Sequence, residues 1–198
     1  MTIANDPIQR PRARNAKPKI ERAALQLFVD EGIDAATTRE IAEVAGVSEG
    51  ALYRHYKGKD ELALSLFMTL HNRLSEMVIQ AAVAPGSMEE KVRGIVTAYC
   101  TLADEDWLLF SFHLVSLNRF IPYDTRREDD PVTLTTRLIE ALMESGEIPK
   151  GDAELLAAMS LGVITQSGQN KIYGRLPGQF SNHIEAFTRA ICAILRQA

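Results

Sequence analysis

A glycine-marked turn between two short helical patterns is the feature that most constrains the fold of this chain. It lies within the stretch TTREIAEVAGVSEGALYRHYKGKDEL, residues 37–62. Thr37 and Glu40 have the spacing of a capping box, which predicts the start of a short helix. Gly46 tolerates the positive φ of a tight turn, and Ser48 is a favourable N-cap for the following helix. The segment therefore predicts a helix-turn-helix, whose second helix presents side chains to a nucleic-acid groove.

The remainder of the chain also predicts helices. Apolar residues recur at three- and four-residue spacing, and no stretch shows the alternation of a half-buried strand. We expect an all-α fold of nine helices. A basic flexible arm would span residues 1–16, and a helix-turn-helix domain residues 17–62 with its motif at 37–56. A second helical domain would span residues 63–198.

Charge is distributed unevenly along the sequence. The net charge is −4, yet residues 1–59 contain ten basic and eight acidic residues. Six of those basic residues fall within residues 10–22. A basic arm on an acidic chain indicates a localised anionic partner. The alternative interpretation is a solvated, disordered tail.

Residue patterns exclude several classes of protein. The longest apolar run, residues 62–70, is about half of the roughly 18 residues that a membrane span needs, and the polar N-terminus lacks the apolar core of a signal peptide. We therefore expect a cytoplasmic protein with no membrane partner, in which Cys100 and Cys192 are small core residues. The histidines never fall at metal-ligand spacing and no catalytic motif is present, so we expect no metal, no cofactor and no enzymatic activity.

The glycine-marked segment resembles the DNA-binding signature of the TetR family of transcriptional regulators. That signature is approximately T-x-R-x-I-A-x-x-A-G-V-S-x-G-x-L-Y-x-H-F-x-x-K-x-x-L, and this chain departs from it only at Tyr56, where Phe is commoner. The basic arm, the sequence AALQLF at 23–28 and the spacing from Gly32 to Thr37 also agree. The match covers about residues 17–67, and beyond it only a TetR-like architecture is similar. The resemblance implies a homodimeric repressor released from a palindromic operator by a small-molecule ligand, with an activator as the alternative.

The resemblance also implies which side chains meet double-stranded DNA: Thr38, Arg39, Gly50, Ala51, Tyr53, Arg54, His55 and Lys59. Alternatives remain open for four of them. Tyr53 would instead pack in the core, His55 would bond between helices, and Arg54 and Lys59 would be merely solvated. Glu49 is unusual beside phosphates; it would accept a hydrogen bond from a cytosine amino group or simply favour the helix N-terminus.

The second domain carries candidates for an effector site and for pairing of two chains. A mixture of aromatic, soft and polar side chains suggests a pocket: Tyr99, Trp107, Phe110, His113, Met143, Met159 and Gln166. Small and apolar residues on the eighth and ninth helices suggest a dimer interface: Ala158, Gly162, Thr165, Ile184, Phe187 and Ile191. For both sets the alternative is the core of a single chain.

A dimer is expected because one recognition helix reads only half of a palindrome. A ligand would move the fourth helix and so change the separation of the two recognition helices. Two other binding classes remain: a nucleoid-type DNA binder and a regulator that answers to a protein partner. Both would lack a closed apolar cavity.

Overall fold

The computed structural model describes residues 16–120 and 129–197, and all regular structure within those ranges is helical. Apart from Ala16, the expected basic arm lies outside the described residues. The all-α expectation is confirmed. In chain order the helices are α1 (Ala16–Asp30), α2 (Thr38–Val44), α3 (Glu49–Tyr53), α4 (Lys59–Val83), α5 (Met88–Glu105), α6 (Trp107–Phe120), α7 (Pro131–Glu144), α8 (Ala153–Ile172) and, after a 3-10 turn at Phe180–His183, α9 (Ile184–Leu195).

The chain forms two compact units, one ending at Ala63 and the other beginning at Leu64. The N-terminal unit contains α1, α2, α3 and the first residues of α4. Its core consists of fully buried apolar side chains from each of the first three helices, among them Ile20, Ile41 and Leu52. Burial of these side chains is the main force that fixes three short helices against one another, because helices of this length are marginal alone.

Local signals in the N-terminal unit produce the structures that the sequence predicts. The Thr37 hydroxyl accepts from the backbone N–H of Glu40 at 3.2 Å, and the Glu40 carboxylate accepts from the backbone N–H of Thr37 at 2.9 Å, which confirms the capping box. Gly46 adopts φ +64° at the turn. Ser48 occupies the N-cap of α3 but makes no side-chain cap bond, and α3 ends at Tyr53.

The C-terminal unit is built around α8, which packs against α6, α7 and α9. At Gly168 a Cβ atom would lie 2.5 Å from Cδ1 of Leu114, so the absence of a side chain permits the close approach of α8 to α6. Ion pairs join α5 to α9, including Arg196 with Glu89 at 2.8 Å. Within the described residues no helix has the length and apolarity required to cross a membrane.

Asp104 and the two cysteines of this unit have structural roles. Both Oδ atoms of Asp104 accept from backbone N–H groups at the start of the 3-10 turn, from Phe180 at 2.7 Å and from Ser181 at 2.9 Å. Asp104 therefore caps that turn. Cys100 and Cys192 are buried free thiols, which confirms the expectation that they are core residues. Burial raises the pKa of Cys100 to about 12, so this thiol stays protonated.

Candidate functional site

The exposed surface of α2 and α3 carries most of the side chains expected at DNA. Leu52 is fully buried and anchors α3, which leaves the opposite side of that helix exposed. Tyr53 is 52% exposed, so the alternative that it packs in the core is wrong. The residues of the expected set that are exposed are Arg39, Gly50, Tyr53, Arg54 and His55, with Thr38 half-exposed.

Two of the expected contacts have different surroundings. Ala51 is only 5% exposed, because it lies on the inward side of α3 with Leu52. The expectation that Ala51 faces bases is therefore wrong. The Lys59 ammonium donates to the backbone carbonyls of Asp34 at 2.7 Å and Ala36 at 2.9 Å, so it holds the connection between α1 and α2. A lysine has three donors, and one remains for a phosphate.

A hydrogen-bonded group on this surface was not anticipated from the sequence. The Thr38 hydroxyl donates to Oε1 of Glu49 at 2.7 Å and lies 3.3 Å from the Tyr53 hydroxyl. Glu49 is also in the first turn of α3, where a carboxylate is favoured by the helix dipole. The carboxylate therefore joins the start of α2 to the start of α3. The eleven-residue separation of Thr38 and Glu49 gave no local signal of this bond.

Tyr56, the one departure from the family signature, has a bonding partner of its own. Its ring is 5% exposed, and its hydroxyl donates to Oε1 of Glu21 on α1 at 2.6 Å. A Phe at this position would leave that carboxylate without the bond. The extra oxygen of Tyr56 thus ties the end of the recognition segment to α1.

The C-terminal unit contains a cavity of about 200 Å³. Its wall is contributed by α4, α5, α6, α7, α8 and α9 and is mostly aliphatic, with Leu74, Val96, Leu138 and Ile164 among its residues. Of the seven side chains expected at an effector site, Tyr99 and His113 line this cavity. Within the described residues no group of three metal-binding side chains occurs.

The other five expected pocket residues do not line this cavity. Phe110 is buried between Tyr99, with ring centroids 4.8 Å apart, and Trp107, at 5.9 Å, so these rings form core packing. The ammonium of Lys171 lies over the Trp107 ring, 4.9 Å from the ring centroid. The remaining three do not line the cavity: Met143 is half-buried on α7, and Met159 and Gln166 are exposed on α8.

The apolar stripe of α9 is also core rather than surface. Phe187 and Ile191 are 8% and 7% exposed, and Ile191 lines the cavity together with Thr165 of α8. The expectation that Phe187 and Ile191 form a dimer interface is therefore wrong for this arrangement, whereas Thr165 is half-buried and its place at an interface stays a prediction. Ile184 is half-buried against the same core. Ala158 is exposed and Gly162 half-exposed on α8.

The outward faces of α8 and α9 carry exposed apolar and small residues. On α8, Leu155 is 56% exposed and Met159 is 45% exposed. The outward side of α9 carries small side chains, since Ala186, Ala190 and Ala193 are exposed at spacings of four and three residues. Small residues at helical spacing opposite the apolar stripe were the available signal for this face.

Comparisons with known proteins agree with the geometry of the N-terminal unit. Residues 20–66 match the family described as bacterial regulatory proteins, tetR family. An HTH-type transcriptional regulator of Mycobacterium tuberculosis is 30% identical over 151 residues, which span 75% of this chain and 77% of that protein. The HTH-type transcriptional activator FasR of Mycolicibacterium smegmatis is 35% identical over 101 residues, spanning 48% of this chain and only 46% of that protein.

A solved structure extends the likeness to the whole fold. FadR from Bacillus subtilis, determined in complex with stearoyl-CoA, is similar with a TM-score of 0.70 over 88% of this chain and 97% of that chain, at 19% sequence identity. At this identity the likeness concerns the fold. Together with the helix-turn-helix geometry and the relative of matching length, these findings identify the chain as a DNA-binding transcriptional regulator that belongs to the TetR family.

Proposed function

We propose that the protein is a homodimeric repressor that binds a palindromic operator through α3 and leaves it when an apolar small molecule occupies the C-terminal cavity. The observation that carries this proposal is the exposed side of α3. Gly50, Tyr53 and Arg54 are exposed there, while Leu52 holds the helix to the core. A small residue beside an aromatic and a cation allows close approach to a groove and contact with both bases and phosphates.

Pairing of two chains is supported by the outward faces of α8 and α9. Exposed Leu155 and Met159 lie on the former, and the alanines of the latter allow close approach of a second helix pair. Two such pairs would form a four-helix bundle. The variant Met159→Arg should shift the protein towards monomer in analytical ultracentrifugation. The control Ile79→Arg, which changes an exposed residue of α4, should leave the dimer intact. Equal effects of the two variants would contradict this face as the interface.

The cavity favours a ligand-responsive regulator over a nucleoid-type DNA binder. An apolar space inside the C-terminal unit is not needed for indiscriminate DNA binding, and it gives an apolar effector a place to bind. The fold relative solved with stearoyl-CoA supports acyl compounds as first probes. The wall includes His71, Leu74 and Val78 of α4, and the same helix begins at Lys59.

A ligand that prefers one position of α4 would therefore alter the placement of the recognition helices. Coupling of about 1–3 kcal/mol is typical between linked sites, which corresponds to a change in affinity of roughly 5- to 150-fold. The relative FasR is an activator, so the direction of regulation is tested with a reporter gene. Repression predicts higher reporter expression when the protein is deleted.

The experiment is a fluorescence-anisotropy titration of DNA flanking the gene, at two salt concentrations and with competitor DNA. We expect saturable binding that survives competitor, one dimer per palindrome, and a loss of at least tenfold for Arg54→Ala. The control Lys150→Ala removes an exposed cation of the C-terminal unit and should bind as wild type. Binding that is sequence-blind and lost steeply with salt would contradict operator recognition and favour the nucleoid-type alternative.

A further inference from the structure

The described wall of the cavity contains one lysine and no arginine or carboxylate, and the donors of that lysine are already used by the fold. Lys91 lines the cavity, but its ammonium donates to backbone carbonyls at the end of α4: to Ala81 at 3.1 Å, to Ala82 at 3.0 Å and to Ala84. Three bonds use all three donors of a lysine. Lys91 therefore contributes its methylene groups to the wall and no donor to a bound anion.

One of the two histidines of the wall, His113, does not supply a cation either. Nδ1 of His71 lies 3.3 Å from Nε2 of His113, a distance at which one nitrogen donates a hydrogen bond to the other. The His113 ring is stacked on Phe67, with centroids 4.5 Å apart, and is 4% exposed. Burial, with a smaller contribution from His71, lowers the pKa of His113 to about 3. His113 is therefore neutral at physiological pH.

The serine hydroxyl on the wall differs from the two threonine hydroxyls. Thr135 donates to the carbonyl of Pro131 at 2.7 Å, and Thr165 donates to that of Leu161 at 2.8 Å. Ser160 is 6% exposed, lines the cavity, and its Oγ has no hydrogen-bond partner within the described residues. A buried hydroxyl without a partner is costly, so a polar atom that reaches it from the cavity is favoured.

We infer that the cavity selects an uncharged effector: an apolar chain or ring with one carbonyl, ester or hydroxyl group that hydrogen-bonds Ser160. This inference rests on the proposed function, since it concerns the effector site of the same regulator. A carboxylate or a phosphate in this space would lose hydration without a donor from Lys91 or a positive charge from His113, and an ammonium group would meet no carboxylate on the described wall. The aliphatic side chains would surround the apolar part of the ligand.

The test is a matched series on the full-length protein without DNA, by calorimetric titration at pH 7.5. The probes share one ten-carbon chain: 1-decanol, methyl decanoate, decanoate and decylammonium. We expect the alcohol and the ester to bind at least tenfold more tightly than either ion. Equal or tighter binding of decanoate or decylammonium, or no binding of the alcohol and the ester up to 1 mM, would overturn the inference.

A pair of serine variants tests the hydrogen bond itself. Ser160→Ala should weaken decanol binding about five- to tenfold, as expected for one lost hydrogen bond. Ser167→Ala is the matched control, because Ser167 lies on the same helix, does not line the cavity and donates to the carbonyl of Val163 at 2.7 Å. Unchanged affinity in Ser160→Ala, with both variants folded by circular dichroism, would overturn the role of Ser160.

Operator DNA is then added to separate this inference from the proposed function. Decanol that binds selectively but leaves the protein on its operator would uphold the uncharged-ligand inference and contradict effector release. Decanoate that binds more tightly than decanol and also releases the operator would contradict the uncharged-ligand inference and uphold effector release.

Discussion

Replacement of Glu49 by glutamine should tighten DNA binding. Glu49 accepts from the Thr38 hydroxyl at 2.7 Å, and the amide oxygen of glutamine can accept the same bond. A DNA phosphate oxygen that lies about 5.5 Å from this carboxylate, roughly two hydrogen-bond lengths, faces a like charge. The substitution therefore removes a like-charge repulsion and keeps the geometry of the surface.

The size of the effect follows from that separation. Two unit charges about 5.5 Å apart repel by about 0.8 kcal/mol even at the dielectric constant of bulk water. Removal of this repulsion should improve affinity about three- to fourfold for each half-site, and roughly tenfold for a dimer on a palindrome. A lower effective dielectric constant would enlarge the gain, and higher salt would reduce it.

The assay is fluorescence anisotropy with an operator duplex and a scrambled duplex at two salt concentrations. Both duplexes should gain affinity, because phosphates carry no sequence information. The control is Glu31→Gln, which removes an exposed carboxylate at the end of α1 in the same unit. Weaker operator binding together with poorer discrimination would refute the repulsion argument and assign Glu49 to a cytosine amino group. An equal gain in the control would also refute it.

Three further predictions concern stability and are read from urea unfolding. Tyr56→Phe should lower the free energy of unfolding by about 1–2 kcal/mol, since it removes the part-buried bond to Glu21; an unchanged midpoint would contradict that role. Gly46→Ala should cost about 1–2 kcal/mol because of its φ of +64°, and a stabilised variant would show that the turn relaxes. Burial tends to raise the pKa of Asp104, but hydrogen bonds from residues 181 and 180 outweigh it and hold that pKa below its ordinary value. The stabilisation by Asp104 is therefore present above the unfolded pKa of about 3.9 and is lost as pH falls through the lower folded pKa. Asp104→Asn should accordingly be less stable than wild type at pH 7 and differ less from it near pH 3. A stability difference that stays the same at both pH values would contradict the linkage.

Features set by neighbouring residues were predictable from the sequence. The capping box of Thr37 and Glu40 and the positive φ at Gly46 depend on residues within one turn of each other. The Asp152 cap of α8 is equally local, as its carboxylate accepts from the N–H of Leu155 at 3.0 Å. Such features follow from backbone geometry and side-chain chemistry alone.

Features set by tertiary packing were not predictable in the same way. The strong apolar stripe of α9 indicates burial, but it does not say whether another chain or the same chain covers it, and Phe187 proved to be core. Aromatic character likewise suggested Trp107 and Phe110 for the pocket, whereas the wall is mostly aliphatic. The partner of Tyr56 lies 35 residues away, beyond the reach of any local pattern.

The most direct test of sequence-specific recognition by α3 is a quantitative footprint on DNA flanking the gene, with wild type, Tyr53→Ala and the control Val83→Ala. Tyr53 is 52% exposed beside the exposed Arg54, while Val83 is exposed at the far end of α4. We predict two protected half-sites related by a palindrome for wild type and control, and at least tenfold weaker protection for Tyr53→Ala. Equal protection by all three proteins, or no discrete footprint for wild type, would contradict recognition through α3.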